Sequence, residues 1–183
     1  MMRYKPMLAY PVSNKPIDYT KPVFMQPKLD GVRCLIQQEF HKDGDKVVAY
    51  SRTGKKWLNI DHILQSLKPF FAGNPDVILD GELYNHALRD DFEKIISCVR
   101  KTKPTDADRA ESRKLVQFHC YDIVDETMTF DERYKFVFDN LRDAYGIRTV
   151  ETTQCFTEGD SKVFHEDNLD RGYEGSILRL NDV

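Results

Sequence analysis

The chain has 183 residues, 40% of them hydrophobic, and a net charge of −3. That length suits a single domain with a real core, and the slightly acidic balance excludes a protein that coats DNA through a broadly basic surface. No apolar run reaches the roughly 20 residues that span a bilayer, and Met1–Lys5 lacks the apolar core of a signal peptide, so no membrane association and a cytoplasmic location are expected.

In chain order, Val23, Phe24 and Met25 lead into Gln26-Pro27-Lys28-Leu29-Asp30-Gly31-Val32-Arg33, and Cys34, Leu35 and Ile36 follow. This reads as strand, tight turn, strand. Lys42-Asp43-Gly44-Asp45 marks a hairpin before a strand over 46–51. Asp61 is a helix N-cap, and Pro69 is expected to end that helix near Leu67. Val77-Ile78-Leu79 runs into Asp80-Gly81-Glu82-Leu83 as another strand. Phe92, Ile95, Ile96 and Val99 recur at helical spacing. Residues 101–114 are polar, a loop or a solvated helix. Phe118-His119-Cys120-Tyr121-Asp122-Ile123-Val124 is a third core strand. Tyr134, Val137, Phe138 and Leu141 form a second helical stripe, followed by a strand-like stretch over 147–155 and a helix around 160–170. Tyr173-Glu174-Gly175-Ser176-Ile177-Leu178-Arg179 closes the series as a strand. Hairpins alternating irregularly with single helices favour an α+β fold of largely antiparallel sheets over a doubly wound parallel one. No repeat, linker or internal domain boundary is visible.

Cys34, Cys98, Cys120 and Cys155 are scattered, which favours reduced, packed thiols over a disulfide frame or a zinc site. Local basic runs, such as Arg52, Lys55 and Lys56, are as compatible with a solvated face as with phosphate contact.

Chemistry concentrates around Lys28. On an extended backbone Lys28 and Asp30 share one side, and Gly31 removes a side chain where another group, such as a phosphate, approaches the backbone. A lysine amine is a poor nucleophile at neutral pH, because about one in a thousand is unprotonated. Nearby positive charge or desolvation must activate it, and Arg33 is close in sequence. The plain alternative is a surface hairpin with incidental charges.

The KLDGVR, LDGEL, FHCYDIV and EGSILR segments, in that order, resemble motifs I, III, IIIa and IV of the covalent nucleotidyltransferases, which include ATP-dependent DNA ligases, RNA ligases and mRNA capping enzymes. Ser51-Arg52-Thr53-Gly54-Lys55 is similar to a short segment that DNA ligases carry between motifs I and III. Pro6-Met7-Leu8-Ala9 also looks like DNA ligases, and the small size looks like the minimal ligases of bacteriophages and other viruses. The resemblance implies a nucleotidyltransferase (ATP-grasp-like) domain of antiparallel sheets flanked by helices, spanning 1–183. It implies that Lys28 attacks the ATP α-phosphate to form lysyl-AMP, and that AMP then passes to the 5′-phosphate of a DNA nick before the 3′-OH seals it.

By the same resemblance, Tyr121 stacks on the adenine, and the amide oxygen of Gln26 accepts from its amino group where relatives often carry glutamate. Arg33, Arg52, Glu82 and Glu174 join Lys28 in nucleotide binding. Asp30, Glu82 and Glu174 hold Mg²⁺ or Mn²⁺, and Asp80, Gly31 and Gly175 support them. Expected partners are ATP and nicked duplex DNA, for a monomeric protein in the cytoplasm, that of the host if viral. The family's motif V lysines and OB-fold domain have no counterpart in the sequence, which is expected to be a fragment that seals nicks poorly by itself. Capping guanylyltransferase and RNA ligase remain as alternatives, with a non-catalytic nucleotide-binding module behind them.

Overall fold

A computed structural model describes residues 1–183. Eight strands form two sheets: β1 (Val23–Lys28), β2 (Val32–Glu39), β3 (Lys46–Tyr50), β4 (Ile78–Tyr84), β5 (Gln117–Ile123), β6 (Ile147–Thr149), β7 (Thr153–Cys155) and β8 (Gly175–Leu180). Five helices accompany them: α1 (Asp61–Gly73), α2 (Phe92–Val99), α3 (Asp106–Leu115), α4 (Phe130–Asn140) and α5 (Glu158–Asp170). The smaller sheet has the order β7-β1-β8 and the larger β3-β2-β4-β5-β6. Every pairing is antiparallel except β5 with β6, so the α+β, largely antiparallel expectation holds. No helix is long and apolar enough to cross a membrane.

The main core lies on one face of the larger sheet. Ile36, Leu79, Leu83 and Phe118 from its strands meet Ile63, Leu67 and Phe71 of α1 and Ile95 and Val99 of α2, all nearly or fully buried. Fully burying a side chain of this kind contributes about 1.5–3 kcal/mol. The four cysteines are free and buried.

Several local expectations change in three dimensions. The Lys28 segment is strand, turn, strand, but not a hairpin, because β1 and β2 pair in different sheets. Residues 29–31 instead carry the chain from one sheet to the other. A Cβ on Gly31 would lie 2.4 Å from the Leu83 carbonyl oxygen and 3.1 Å from Glu82 Oε2. The end of β4 therefore requires a glycine here.

Pro69 does not end α1, which continues to Gly73. One backbone hydrogen bond is lost there, while burial of Phe70 and Phe71 just beyond it holds the final turn in the core. The polar stretch before β5 is a true helix, α3, started by a Thr105–Asp108 capping box. The buried face of α4 is Phe130, Arg133 and Val137, with Phe138 left exposed. The 147–155 stretch divides into β6 and β7, one for each sheet.

Candidate active site

Lys28 is the last residue of β1, directly opposite Gly175 of β8. Antiparallel pairing of these strands brings together residues 146 positions apart: Lys28 Nζ lies 3.2 Å from Glu174 Oε1, with both side chains about half exposed. The amine thus sits at the open end of the smaller sheet, already paired with a carboxylate.

Beneath it lies a buried polar layer. Arg33 donates to both oxygens of Asp80, Nε to Oδ1 and Nη2 to Oδ2, each at 2.6 Å. Burial pushes the Asp80 carboxyl up and Arg33 opposes that shift; burial also works against the guanidinium charge, and the hydrogen bonds and charge of Asp80 outweigh it and keep Arg33 protonated. Arg33 is therefore paired with Asp80 in this structure. Burial pushes Glu82 up to about 7, against the pull of Arg33 and of the Tyr121 hydroxyl, which donates to Glu82 Oε1 at 3.2 Å.

Gln26 is 2% exposed. Its Nε2 donates to the Tyr121 carbonyl at 3.0 Å and to Thr152 Oγ1 at 2.9 Å, while its Oε1 accepts from Arg179 Nε at 3.0 Å. The oxygen expected to face adenine is thus engaged inside the protein. The ring of Tyr121 is buried as well, with the guanidinium carbons of Arg33 and Arg179 at 5.4 and 5.1 Å from its centroid. Both guanidinium groups lie over the ring that is expected to receive the base. Base stacking on this ring would require at least one of them to move.

The expected carboxylate cage does not form. No group of three or more acidic, His or Cys side chains is arranged to hold a metal ion. Glu174 turns to Lys28, Glu82 lies under Tyr121, and Asp30 is exposed on the connecting loop. In this arrangement Asp30, Glu82 and Glu174 stand apart from one another. Arg52 is exposed in the turn after β3 and makes no side-chain hydrogen bond or ion pair. A Cβ on Gly175 would meet only His165 Cε1, at 3.7 Å, so no steric demand fixes glycine there.

Residues that the sequence reading left without a role complete this layer. Asp122 pairs with Arg133 (Nε to Oδ1, 2.8 Å) and lies 3.5 Å from Arg179 Nη1. The available signal was a charged residue on an apolar helix face, Arg133 between Phe130 and Val137. Such a residue is buried only when a partner waits for it. Arg179 lies on the opposite side of β8 from Leu178 and Leu180, and its flanking residues gave no such signal.

Two largely antiparallel sheets joined through a lysine-bearing crossover, with a carboxylate against the lysine and a buried Arg–Asp pair beside Tyr121, make up a nucleotidyltransferase-like fold. A family model described as "ATP dependent DNA ligase domain" matches residues 6–183. The chain belongs to that family. A DNA ligase of African swine fever virus is 30% identical over 166 residues, covering 88% of this chain and 37% of the viral protein. A second isolate's DNA ligase is 30% identical over 156 residues, covering 83% and 35%. The chain therefore spans little more than a third of the curated relatives it matches. Among solved structures, one described as Pmar-Lig_PreS3 superposes with a TM-score of 0.70 at 22% identity, over 96% of this chain and 42% of that one. Chlorella virus DNA ligase-adenylate gives 0.66 at 19% identity, over 97% and 60%. The ATP-dependent DNA ligase of bacteriophage T7 in complex with ATP gives 0.60 at 16%, over 88% and 60%. These three support the fold.

Proposed function

We propose that residues 1–183 are the adenylation domain of an ATP-dependent DNA ligase, with Lys28 as the nucleophile. The unprotonated Nζ attacks the α-phosphorus of ATP, an N–P bond forms, the bond to the β-phosphate oxygen breaks, and pyrophosphate leaves. AMP then moves from Lys28 to the 5′-phosphate of nicked DNA, and the 3′-OH displaces it to close the strand.

The observation that carries this reading is the position of Lys28, half exposed at the end of β1 and held by Glu174. As an ammonium in that pair it cannot attack. Binding the triphosphate must open the pair, and the lysine must lose its proton to become a nucleophile. Glu174 is the residue placed to hold the amine before that event. Asp80, Arg33, Glu82 and Tyr121 form the hydrogen-bonded, largely buried cluster next to which the nucleotide would be positioned.

Divalent cations accompany ATP in this chemistry, where they neutralise phosphate charge. The carboxylates of this chain do not converge on a cation, and no step here is routed through one. Gln26 Oε1 accepts one bond from Arg179, which leaves its second lone pair for the adenine amino group. Incubation with α-labelled ATP or GTP and Mg²⁺, followed by denaturing electrophoresis, tests the proposal. Label from ATP on the wild type, and none on Lys28→Ala, is the expected result. An adduct retained by Lys28→Ala would remove the nucleophile assignment, and label from GTP alone would point to capping chemistry.

A further inference from the structure

The turn carrying Glu174 is clasped from the opposite sheet. His86 follows the end of β4 and reaches across to residues 171–173, which connect α5 to β8. Its Nε2 lies 2.7 Å from the Arg171 carbonyl oxygen, and its Nδ1 lies 2.6 Å from the Tyr84 hydroxyl. A carbonyl only accepts, so Nε2 carries the proton and donates, and Nδ1 shares a hydrogen bond with the Tyr84 hydroxyl. Burial raises the Tyr84 hydroxyl to about 12, so it stays protonated.

The imidazole also stacks on Tyr173, with centroids 4.1 Å apart and planes at 24°, and the Arg171 guanidinium carbon lies 5.3 Å from the Tyr173 centroid. Gly172, at φ +87°, turns the chain over the Arg89 side chain, where a Cβ would meet Nε at 2.6 Å. Arg89 in turn donates to the His86 carbonyl at 2.9 Å. The backbone N–H groups of Arg171, Gly172 and Tyr173 bond to the end of α5, at Asp167, Leu169 and Asn168. The segment Tyr84–Arg89 adds the Arg171 carbonyl bond, the Tyr173 stack and the Arg89 contact under Gly172 from the other sheet, and the next residue is Glu174.

We propose that His86 is a positioning residue: by tying the Arg171–Tyr173 turn to the end of β4, it sets Glu174 against Lys28 and so controls how that lysine is presented. The inference builds on the reading of Lys28 as the nucleophile, but the clasp itself makes a prediction that needs no catalysis. With the turn released, Glu174 loses its fixed approach, and the Lys28–Glu174 pair forms less often.

The test is competitive acylation of lysines by acetic anhydride, read by peptide mass mapping, on the folded chain with His86→Leu, His86→Gln, Tyr173→Leu and Glu174→Gln. Glu174→Gln should raise the labelling of Lys28 relative to the other lysines by about threefold, the scale of an exposed ion pair. His86→Leu and Tyr173→Leu should raise it similarly, and His86→Gln, which keeps a donor for the Arg171 carbonyl, should return it toward the wild type. In the Glu174→Gln background His86→Leu should add nothing, because its action runs through Glu174. Wild-type labelling in both folded His86→Leu and Tyr173→Leu, or a further increase on top of Glu174→Gln, would overturn the proposal. Should His86→Leu fail to fold, Tyr173→Leu and His86→Gln decide the question. Formation of lysyl-AMP by the same variants is a separate readout. If Lys28 labelling responds as described while no adduct forms even in the wild type, the clasp stands and the nucleophile reading fails.

Discussion

Glu82 and His119 face each other across β4 and β5, and burial shifts them in opposite directions: the carboxyl up to about 7, the imidazole down to about 4. Arg148 and His86 add to the lowering of His119. Between these values both side chains are uncharged in the folded protein. The acid is protonated and the imidazole is neutral.

Their pH effects oppose each other. From about pH 4.5 to 6.5 the folded state keeps a proton on Glu82 that the unfolded chain releases, so this group makes stability fall as pH rises. Over the same range the unfolded chain holds a proton on His119 that the folded state refuses, so this group makes stability rise. Relative to the wild type, Glu82→Gln should gain stability by about 2–3 kcal/mol between pH 4.5 and 6.5, and His119→Gln should lose as much. Urea melts at the two pH values check this, and parallel profiles for both variants would show that neither shift exists.

The Arg33–Asp80 pair is mostly buried, with side chains 17% and 10% exposed. Asp80→Ala leaves the guanidinium without its partner inside the sheet and should destabilise by about 3–5 kcal/mol. Replacing both residues by apolar ones of similar size should cost much less. Denaturant midpoints for the single and double variants distinguish a stranded charge from simple loss of packing.

Tyr121→Leu removes the ring that Arg33 and Arg179 face. A desolvated cation–π contact contributes about 2 kcal/mol, so the variant should be less stable, and ATP binding should weaken by about 1–3 kcal/mol if the base stacks there. Tyr121→Phe keeps the ring, loses only the hydroxyl bond to Glu82, and should bind ATP almost normally. Calorimetry of ATP binding decides between the roles: lowered stability with unchanged affinity in Tyr121→Leu would make the ring a core residue only.

Gly31→Ala should be the more damaging of two glycine changes. Its Cβ would press on the Leu83 carbonyl at 2.4 Å, whereas Gly175→Ala meets His165 at an ordinary 3.7 Å. The first is expected to cost about 1–3 kcal/mol and to displace Lys28, and the second to stay within about 0.5 kcal/mol of the wild type. Equal melting behaviour of the two variants would show that the crossover yields easily.

Period-two and period-3.6 patterning identified most of the strands and helices, since those periods are set by local backbone geometry. Ordered short motifs were enough to place the chain in its family and to single out Lys28. Helix ends were less legible, because the burial that carries α1 past Pro69 depends on residues distant in sequence.

Partner choice was decided only in the folded chain. Sequence proximity suggested that Arg33 serves Lys28, and β2, by pairing with β4, delivers Arg33 to Asp80. Gln26 and Arg179 are 153 residues apart and meet because β1 and β8 are neighbours. Residue types and spacing determined which groups were present. Strand order determined which charges neutralise one another, because ion pairs and hydrogen bonds act over a few ångströms of space and take no account of distance along the chain.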